Sequence, residues 1–270
     1  MPELPEVEVV VQTLKLQLIN QTIIKTDVFY EPIVESAMEF KKIEGKKILD
    51  ISRKGKYLIF ILSDDLVIVG HLRMEGKFYL KKIDEPILKH EHFMLTLFNG
   101  ITVRYHDFRK FGRFVVQNKH TYLKEQPLVK LANDPKDISF DDFYEKVIKR
   151  KTEIKKVLLD QTVIAGLGNI YVNEVLFASR IHPEKIAETL TKKEVKSILE
   201  NAIMILEKAI SLGGTTISTY ESSLGVHGKF QNNLLVHGKE KQACPICQTT
   251  ITKIKVGGRG TYVCTTCQKK

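Results

Sequence analysis

The pattern Cys244-Pro-Ile-Cys247, then sixteen residues, then Cys264-Thr-Thr-Cys267 constrains this chain more than any other feature. Each Cys-x-x-Cys pair brings two sulfurs to one side of a metal, and two pairs complete a tetrahedron that suits a single Zn2+. A redox dithiol explains one such pair but not two. A four-thiolate site is closed, so it holds structure and leaves no position for a substrate. Residues 252–256 and 261–263 are strand-like and flank Gly257-Gly258-Arg259-Gly260, which makes the module a β-hairpin. Arg259 at that tip suits a phosphate, although a lone exposed arginine is more often merely solvated. The chain has no other cysteine, and all four fall in its last 27 residues, which speaks for metal rather than disulfides.

The remaining sequence divides by texture into two further parts. Residues 1–125 open with a helix that starts at Pro5, a residue suited to a first helical turn, and carries Val7, Val10, Val11, Leu14 and Leu18 on its apolar side. Segments rich in Ile, Val, Phe and Tyr follow at 22–29, 47–52, 56–62, 66–71, 77–81, 92–98, 101–106 and 113–117. Asp64-Asp65 and Asn99-Gly100 separate neighbouring segments with turn residues. Short strands at this spacing predict an antiparallel β-sandwich. From 126 the periodicity is helical, over 140–150, 153–160, 170–180 and 192–212, with Ser139 and Thr191 as N-caps. Gly213-Gly214 ends the last helix, and the polar stretch 215–231 reads as a mobile loop.

Lys and Arg number 42 against 32 Asp and Glu, a net charge of +10, which favours an acidic partner. The run 146–156 holds six cations and could pair with backbone phosphates, though taken alone it is better read as a solvated helix face. Glu3, Glu6 and Glu8 stand where a secretory signal would carry Lys or Arg, and no apolar run approaches a membrane span. The expectation is a cytosolic protein without a membrane partner.

Removal of Met1 would leave Pro2 with a free secondary amine. Terminal amines titrate at about 7.7–8.0, so part of the population is an uncharged nucleophile at neutral pH. Such an amine can form an iminium with a sugar C1′, given an acid and base such as Glu3 nearby. A proline and a few glutamates are also ordinary helix-start chemistry.

Six separated motifs resemble the formamidopyrimidine-DNA glycosylase family: residues 1–8, 53–58, 71–76, 107–112, 166–171, and the cysteine hairpin ending in Gly258-Arg259-Gly260-Thr261. Gly213-Gly214-Thr215-Thr216 agrees as well, and the order is that of the family from first residue to last. The resemblance implies an α+β chain. An N-terminal antiparallel β-sandwich with its N-terminal helix occupies 1–125. A helical domain with a helix-two-turn-helix element and a lesion loop occupies 126–231. A four-Cys zinc-ribbon finger occupies 235–270.

It further implies that Pro2 attacks C1′ of a damaged nucleotide, that Glu3 moves protons at the sugar, and that Glu6 orders the N-terminus. Lys56 is implied as a proton donor and phosphate ligand, and Arg259 as the residue of the second, δ-elimination. Met74, Arg109 and Phe111 correspond to residues that fill the gap left by an extruded base. His71, His90, Arg150 and Asn169 correspond to DNA contacts, Arg150 standing where relatives usually have Lys. The sequence departs from the family pattern at 131–135, at Phe108, where proline is frequent, and over the lesion loop, about 216–230; Glu75 is a weaker correspondence to the extruded base. The implied activity is removal of oxidised purines, 8-oxoguanine and formamidopyrimidines, from duplex DNA, followed by backbone cleavage, by a monomer in the bacterial cytoplasm. Leu4, with Met74, Arg109 and Phe111, favours this purine branch over the endonuclease VIII branch. A non-catalytic zinc-ribbon DNA binder would explain the charge and the cysteines, but not Pro2, Glu3, Lys56 and Arg259 together.

Overall fold

The computed structural model describes residues 1–215 and 228–270. Residues 216–227 lie outside the described residues, and with them Thr216 and most of the loop expected over 215–231. The chain forms two compact units. The first comprises Met1–Val129 with residues 213–215 and Gly228; the second comprises Lys130–Leu212 and Lys229–Lys270.

The first unit begins with helix α1, Leu4–Leu18, one residue earlier than Pro5 suggested. Glu3 and Glu6 form a capping box at its start, the Glu3 amide donating to Glu6 Oε2 at 2.9 Å, so two otherwise orphaned groups satisfy each other. All five residues assigned to its apolar side are buried. Strand β1, Ile23–Val28, a short helix α2, Ala37–Lys41, and seven strands follow: β2 Ile48–Lys54, β3 Tyr57–Leu62, β4 Leu66–His71, β5 Lys77–Lys82, β6 Glu91–Leu97, β7 Ile101–His106 and β8 Arg113–Asn118. They make two four-stranded antiparallel sheets, ordered β1-β6-β7-β5 and β2-β3-β4-β8. The sandwich expected from the sequence is therefore present. Its core is aromatic: Phe93 stacks on Tyr105 with centroids 5.2 Å apart, and Phe114 meets both edge-on. The two turn signals hold, with Asp64, Asp65 and Gly100 at positive φ.

A fully buried ion pair, Arg104 with Glu91 at 3.3 Å, was not foreseen. Arg104 also donates to the carbonyls of Lys82, Glu85 and Pro86 and to Thr102 Oγ1. These bonds satisfy the guanidinium and fasten the β5–β6 loop that leads to His90.

In the second unit, α3 Phe140–Ile148, α4 Ile154–Leu159, α5 Asn169–Ala178 and α6 Lys192–Ser211 realise the four helical segments. Ser139 Oγ accepts from the Asp142 amide and Thr191 Oγ1 from the Glu194 amide, the two caps the sequence marked. Strands β9, Thr252–Val256, and β10, Arg259–Val263, pair antiparallel with Arg259 opposite Val256. The hairpin tip is thus only Gly257-Gly258, both at positive φ, and Arg259 already belongs to a strand. The chain enters this module through a clamp: buried Glu174 on α5 accepts from the amides of Leu235, Val236 and His237 at 2.8–3.0 Å. No helix among the described residues is long and apolar enough to cross a membrane.

Candidate active site and metal centre

In the first unit the amino end of the chain is surrounded by charge. Pro2 is buried, as are Glu3, Glu6 and Lys56. Burial lowers the pKa of the Met1 amine; Glu3 and Glu6 oppose that effect, Lys56 adds to it, and Glu75 opposes it more weakly. Lys56 is delivered by the turn between β2 and β3, where Gly55 at φ 56° reverses the chain. Glu6 does more than cap α1. Its Oε1 accepts from both the amide and the hydroxyl of Thr215, at 2.8 and 2.9 Å, while Oε2 holds the Glu3 amide. One carboxylate therefore fastens the amino end and a segment 209 residues away.

His71, at the end of β4, accepts the Arg73 amide at Nδ1, 2.9 Å away, and stands edge-on to Tyr57. Burial, with the charges of Arg73 and Lys56, pushes it down to about 3, so the ring is neutral and its proton sits on Nε2. His71, Arg73, Tyr57 and Arg113 line a cavity of about 480 Å³.

The loop after β7 is built around Asp107, which is fully buried. Its Oδ1 accepts the Arg109 amide at 3.0 Å; its Oδ2 accepts the amides of Phe111 and Gly112, both at 2.8 Å, and the Tyr105 hydroxyl. Gly112 is required here, since a Cβ would lie 1.8 Å from the Tyr105 hydroxyl oxygen. The loop turns Arg109 and Phe111 outward, the guanidinium stacked 4.7 Å above the ring centroid. Phe111 and Met74, both exposed, line a second cavity with Met1, Arg73 and Arg113. The three residues expected to fill a gap in a base stack are thus an exposed group, two of them beside the amino end. His90, at φ 72°, packs its ring against Phe108 and His106.

The second unit carries the remaining predicted residues. Asn169 is the first residue of α5, following Gly166 at φ 90°; its Nδ2 donates to the Gly260 carbonyl at 3.1 Å. Its Oδ1 is buried without a hydrogen-bond partner among the described residues. Arg150 is exposed and meets Asp160 at 3.3 Å. Arg259 is exposed at the start of β10.

The sulfurs of Cys244, Cys247, Cys264 and Cys267 all lie within 4.8 Å of one another. Cys244–Cys267 is 3.9 Å and Cys247–Cys264 is 3.4 Å. Zn–S bonds of about 2.3 Å in a tetrahedron place sulfurs about 3.8 Å apart, so the set fits one zinc ion. Four thiolates complete its coordination, which makes the site structural.

The sequence marks Asp107 only as part of a motif and gives no role to Glu174, Asn173 or His237; Lys155, one of the six cations of the 146–156 run expected to meet phosphates or solvent, is instead fully buried on α4. Their partners are backbone groups or distant side chains, which no local spacing marks.

Comparison with known proteins agrees along the whole chain. Family models match over residues 1–114 (formamidopyrimidine-DNA glycosylase N-terminal domain), 131–221 (formamidopyrimidine-DNA glycosylase H2TH domain) and 241–270 (zinc finger found in FPG and IleRS). A formamidopyrimidine-DNA glycosylase of Mycoplasma mobile is 45% identical over 274 residues, covering 100% of this chain and 99% of the relative. One from Oceanobacillus iheyensis is 44% identical, with 99% and 98% covered. Among solved structures, a Lactococcus lactis FPG mutant in complex with Fapy-dG-containing DNA superimposes with a TM-score of 0.94 at 42% identity, covering 100% of both chains. A Lactococcus lactis Fpg complex with abasic-site DNA gives 0.93 at 42% identity, covering 99% of this chain and 100% of that one. With relatives this similar over essentially its full length, the chain belongs to the formamidopyrimidine-DNA glycosylase family.

Proposed function

We propose that this protein is a base-excision repair glycosylase with lyase activity, removing oxidised purines such as 8-oxoguanine and formamidopyrimidines from duplex DNA through a covalent intermediate on Pro2. The observation that carries this reading is the burial of Pro2 with Glu3, Glu6 and Lys56, the three charged groups that act most strongly on the neighbouring Met1 amine. Removal of Met1 frees the Pro2 amine in those surroundings. Its lone pair bonds C1′ as the C1′–base bond breaks; the base leaves with the bonding electrons and takes up a proton, and the amine loses its own. Glu3 gives a proton to O4′ as the C1′–O4′ bond opens, leaving an iminium. Loss of a C2′ proton then expels the 3′ phosphate, and loss of the C4′ proton expels the 5′ phosphate. Water hydrolyses the iminium and returns Pro2.

Lys56 and Arg259 serve the eliminations and hold phosphate. His71, with a neutral ring whose proton is held on Nε2, suits a phosphate oxygen, and Asn169 at a helix N-terminus suits another. Met74, Arg109 and Phe111 occupy the gap left by the extruded base, and His90 and Arg150 contact the backbone. Bound zinc supplies only a cross-link between the two cysteine pairs. The working divisions are a catalytic sandwich over 1–125, a DNA-binding helical domain with lesion loop over 126–231, and the finger over 235–270. The protein acts as a monomer in the bacterial cytoplasm, held to the nucleoid by DNA.

Borohydride reduction in the presence of 8-oxoguanine duplex tests the reading. The expected adduct maps to Pro2 in protein whose intact mass lacks Met1. Pro2→Gly greatly weakens trapping, and Glu3→Gln blocks base excision. An adduct on another residue, or full turnover by Pro2→Gly, refutes the nucleophile. Stronger excision of thymine glycol than of 8-oxoguanine refutes the purine preference.

A further inference from the structure

Inside the second unit, α4, α5 and the zinc hairpin meet over a polar centre rather than an apolar one. Lys155 of α4 is fully buried, and Asn173 of α5 is 1% exposed. The Lys155 ammonium donates to Asn173 Oδ1 at 3.0 Å, to the Gly260 carbonyl at 3.1 Å and to Thr261 Oγ1 at 2.7 Å. Asn173 Nδ2 donates to the Asn169 carbonyl at 2.8 Å and lies 2.7 Å from His237 Nδ1.

The directions of these bonds follow from what each group can do. An ammonium only donates, so the asparagine oxygen must face Lys155 and its nitrogen must face His237. An amide nitrogen only donates, so His237 accepts at Nδ1 and is neutral, with its proton on Nε2. Burial, followed by the Lys155 charge, pushes His237 down to about 4, in keeping with that state. The His237 ring in turn stands 5.0 Å from Tyr262 of β10.

The strand beyond is pinned from the same centre. The Gly260 carbonyl accepts from Lys155 and also from Asn169 Nδ2. The Thr261 hydroxyl accepts from Lys155 and donates to the Arg259 carbonyl at 3.1 Å. Asn173 therefore touches the backbone of Asn169 directly, and reaches Arg259 through Lys155 and Thr261. It supports both arms, alongside the direct bond from Asn169 Nδ2 to the Gly260 carbonyl.

We infer that Asn173 is a positioning residue that sets the phosphate-binding turn at Asn169 and the strand presenting Arg259 in one fixed relation, and so governs how far elimination proceeds. This rests on the reading above that Arg259 serves the second elimination. A buried polar network of this kind favours one arrangement, because breaking it leaves the Lys155 ammonium short of acceptors. Removing its hub lets the Arg259 strand shift relative to Asn169, and displacements near 1 Å can cost roughly a hundredfold in a positioned step.

The test measures, on abasic duplex DNA, the share of first-elimination product that continues to the second elimination. Measured with enzyme in saturating excess, so that released first product rebinds, the share is a ratio of products that a partly unfolded variant leaves unchanged while lowering the total. Asn173→Leu keeps the volume and removes every polar contact. His237→Phe keeps a ring against Tyr262 and removes the acceptor. Asn173→Asp keeps an acceptor for Lys155. The expected share falls roughly tenfold in Asn173→Leu and less in His237→Phe and Asn173→Asp, while borohydride trapping persists in all three. A share within about twofold of the native one in every variant that retains zinc overturns the inference. If Asn173→Leu does not retain zinc, the other two variants decide by the same ratio. Failure of the native protein itself to trap at Pro2 is a different outcome and sinks the functional reading instead.

Discussion

The loop carrying Arg109 and Phe111 and the hairpin carrying Arg259 are both rigid presentations of an exposed arginine, built in opposite ways. The loop is organised by an anion, Asp107, whose bonds reach only two to five residues along the chain. The hairpin is organised by a buried cation, Lys155, and by four thiols. The Lys155 bonds to Gly260 and Thr261 span 105 and 106 residues, the paired sulfurs 23 and 17. A locally closed motif can form as soon as its own segment folds onto the core. A motif closed across a hundred residues exists only when the whole unit is assembled. The first is insensitive to metal; the second depends on it.

The largest expected effect separates the two. Replacing Cys264→Ser, or chelating the zinc, removes a cross-link that contributes on the order of several kcal/mol in small zinc modules. DNA affinity then falls sharply, while amide exchange across residues 107–112 stays as in the native protein. Native affinity after verified metal loss would contradict the role given to the finger. The converse change is Asp107→Ala. It leaves the amides of Arg109, Phe111 and Gly112 without their acceptor and costs about 3 kcal/mol in denaturant unfolding. Exchange at 109–112 rises and zinc content is unchanged; protection equal to the native protein's would show that the loop does not depend on this carboxylate.

A smaller effect is read by acid titration. His71 and His237 have folded-state pKa values of about 3 and about 4, below the ordinary 6.5. Between 6.5 and those values the unfolded chain binds more protons than the folded one, so stability is intact above 6.5 and is lost as pH falls through that window. Each histidine contributes a slope of at most about 1.4 kcal/mol per pH unit. His71→Asn, which keeps an acceptor for the Arg73 amide, gives a shallower fall of Tm with acid; an unchanged slope refutes the assignment. Smallest is Arg150→Ala. Its partner Asp160 is half-exposed, so stability changes by under about 0.5 kcal/mol. The salt dependence of DNA binding drops by about one phosphate contact, and an unaltered salt slope argues that Arg150 touches no phosphate.

Much of the fold was legible in the residues. The apolar face of α1 is the one its spacing marked, Ser139 and Thr191 cap their helices, and Asn99-Gly100 turns a hairpin. These features depend on neighbours within a few positions, where periodicity and capping chemistry act. The site was legible only in part. Pro2, Glu3 and Lys56 were named, and the structure adds their burial. Asp107 stood in plain view between Tyr105 and Arg109 without announcing that it accepts three amides. Arg259 was placed at a hairpin tip and proved to sit in a paired strand, because two positive-φ glycines suffice for the turn.

By itself, the order of amino acids determined the zinc ligands, the alternation of strands and the helix that begins at the chain's amino end, since each follows from short-range spacing and covalent geometry. Only the tertiary structure decided that Glu6 would hold Thr215, that Lys155 would seek Gly260 and Thr261, and that Asn173 would join His237 to Asn169. A buried polar group takes whichever partner the packed chain places within hydrogen-bond reach, because leaving it unpaired away from water is costlier than any local preference.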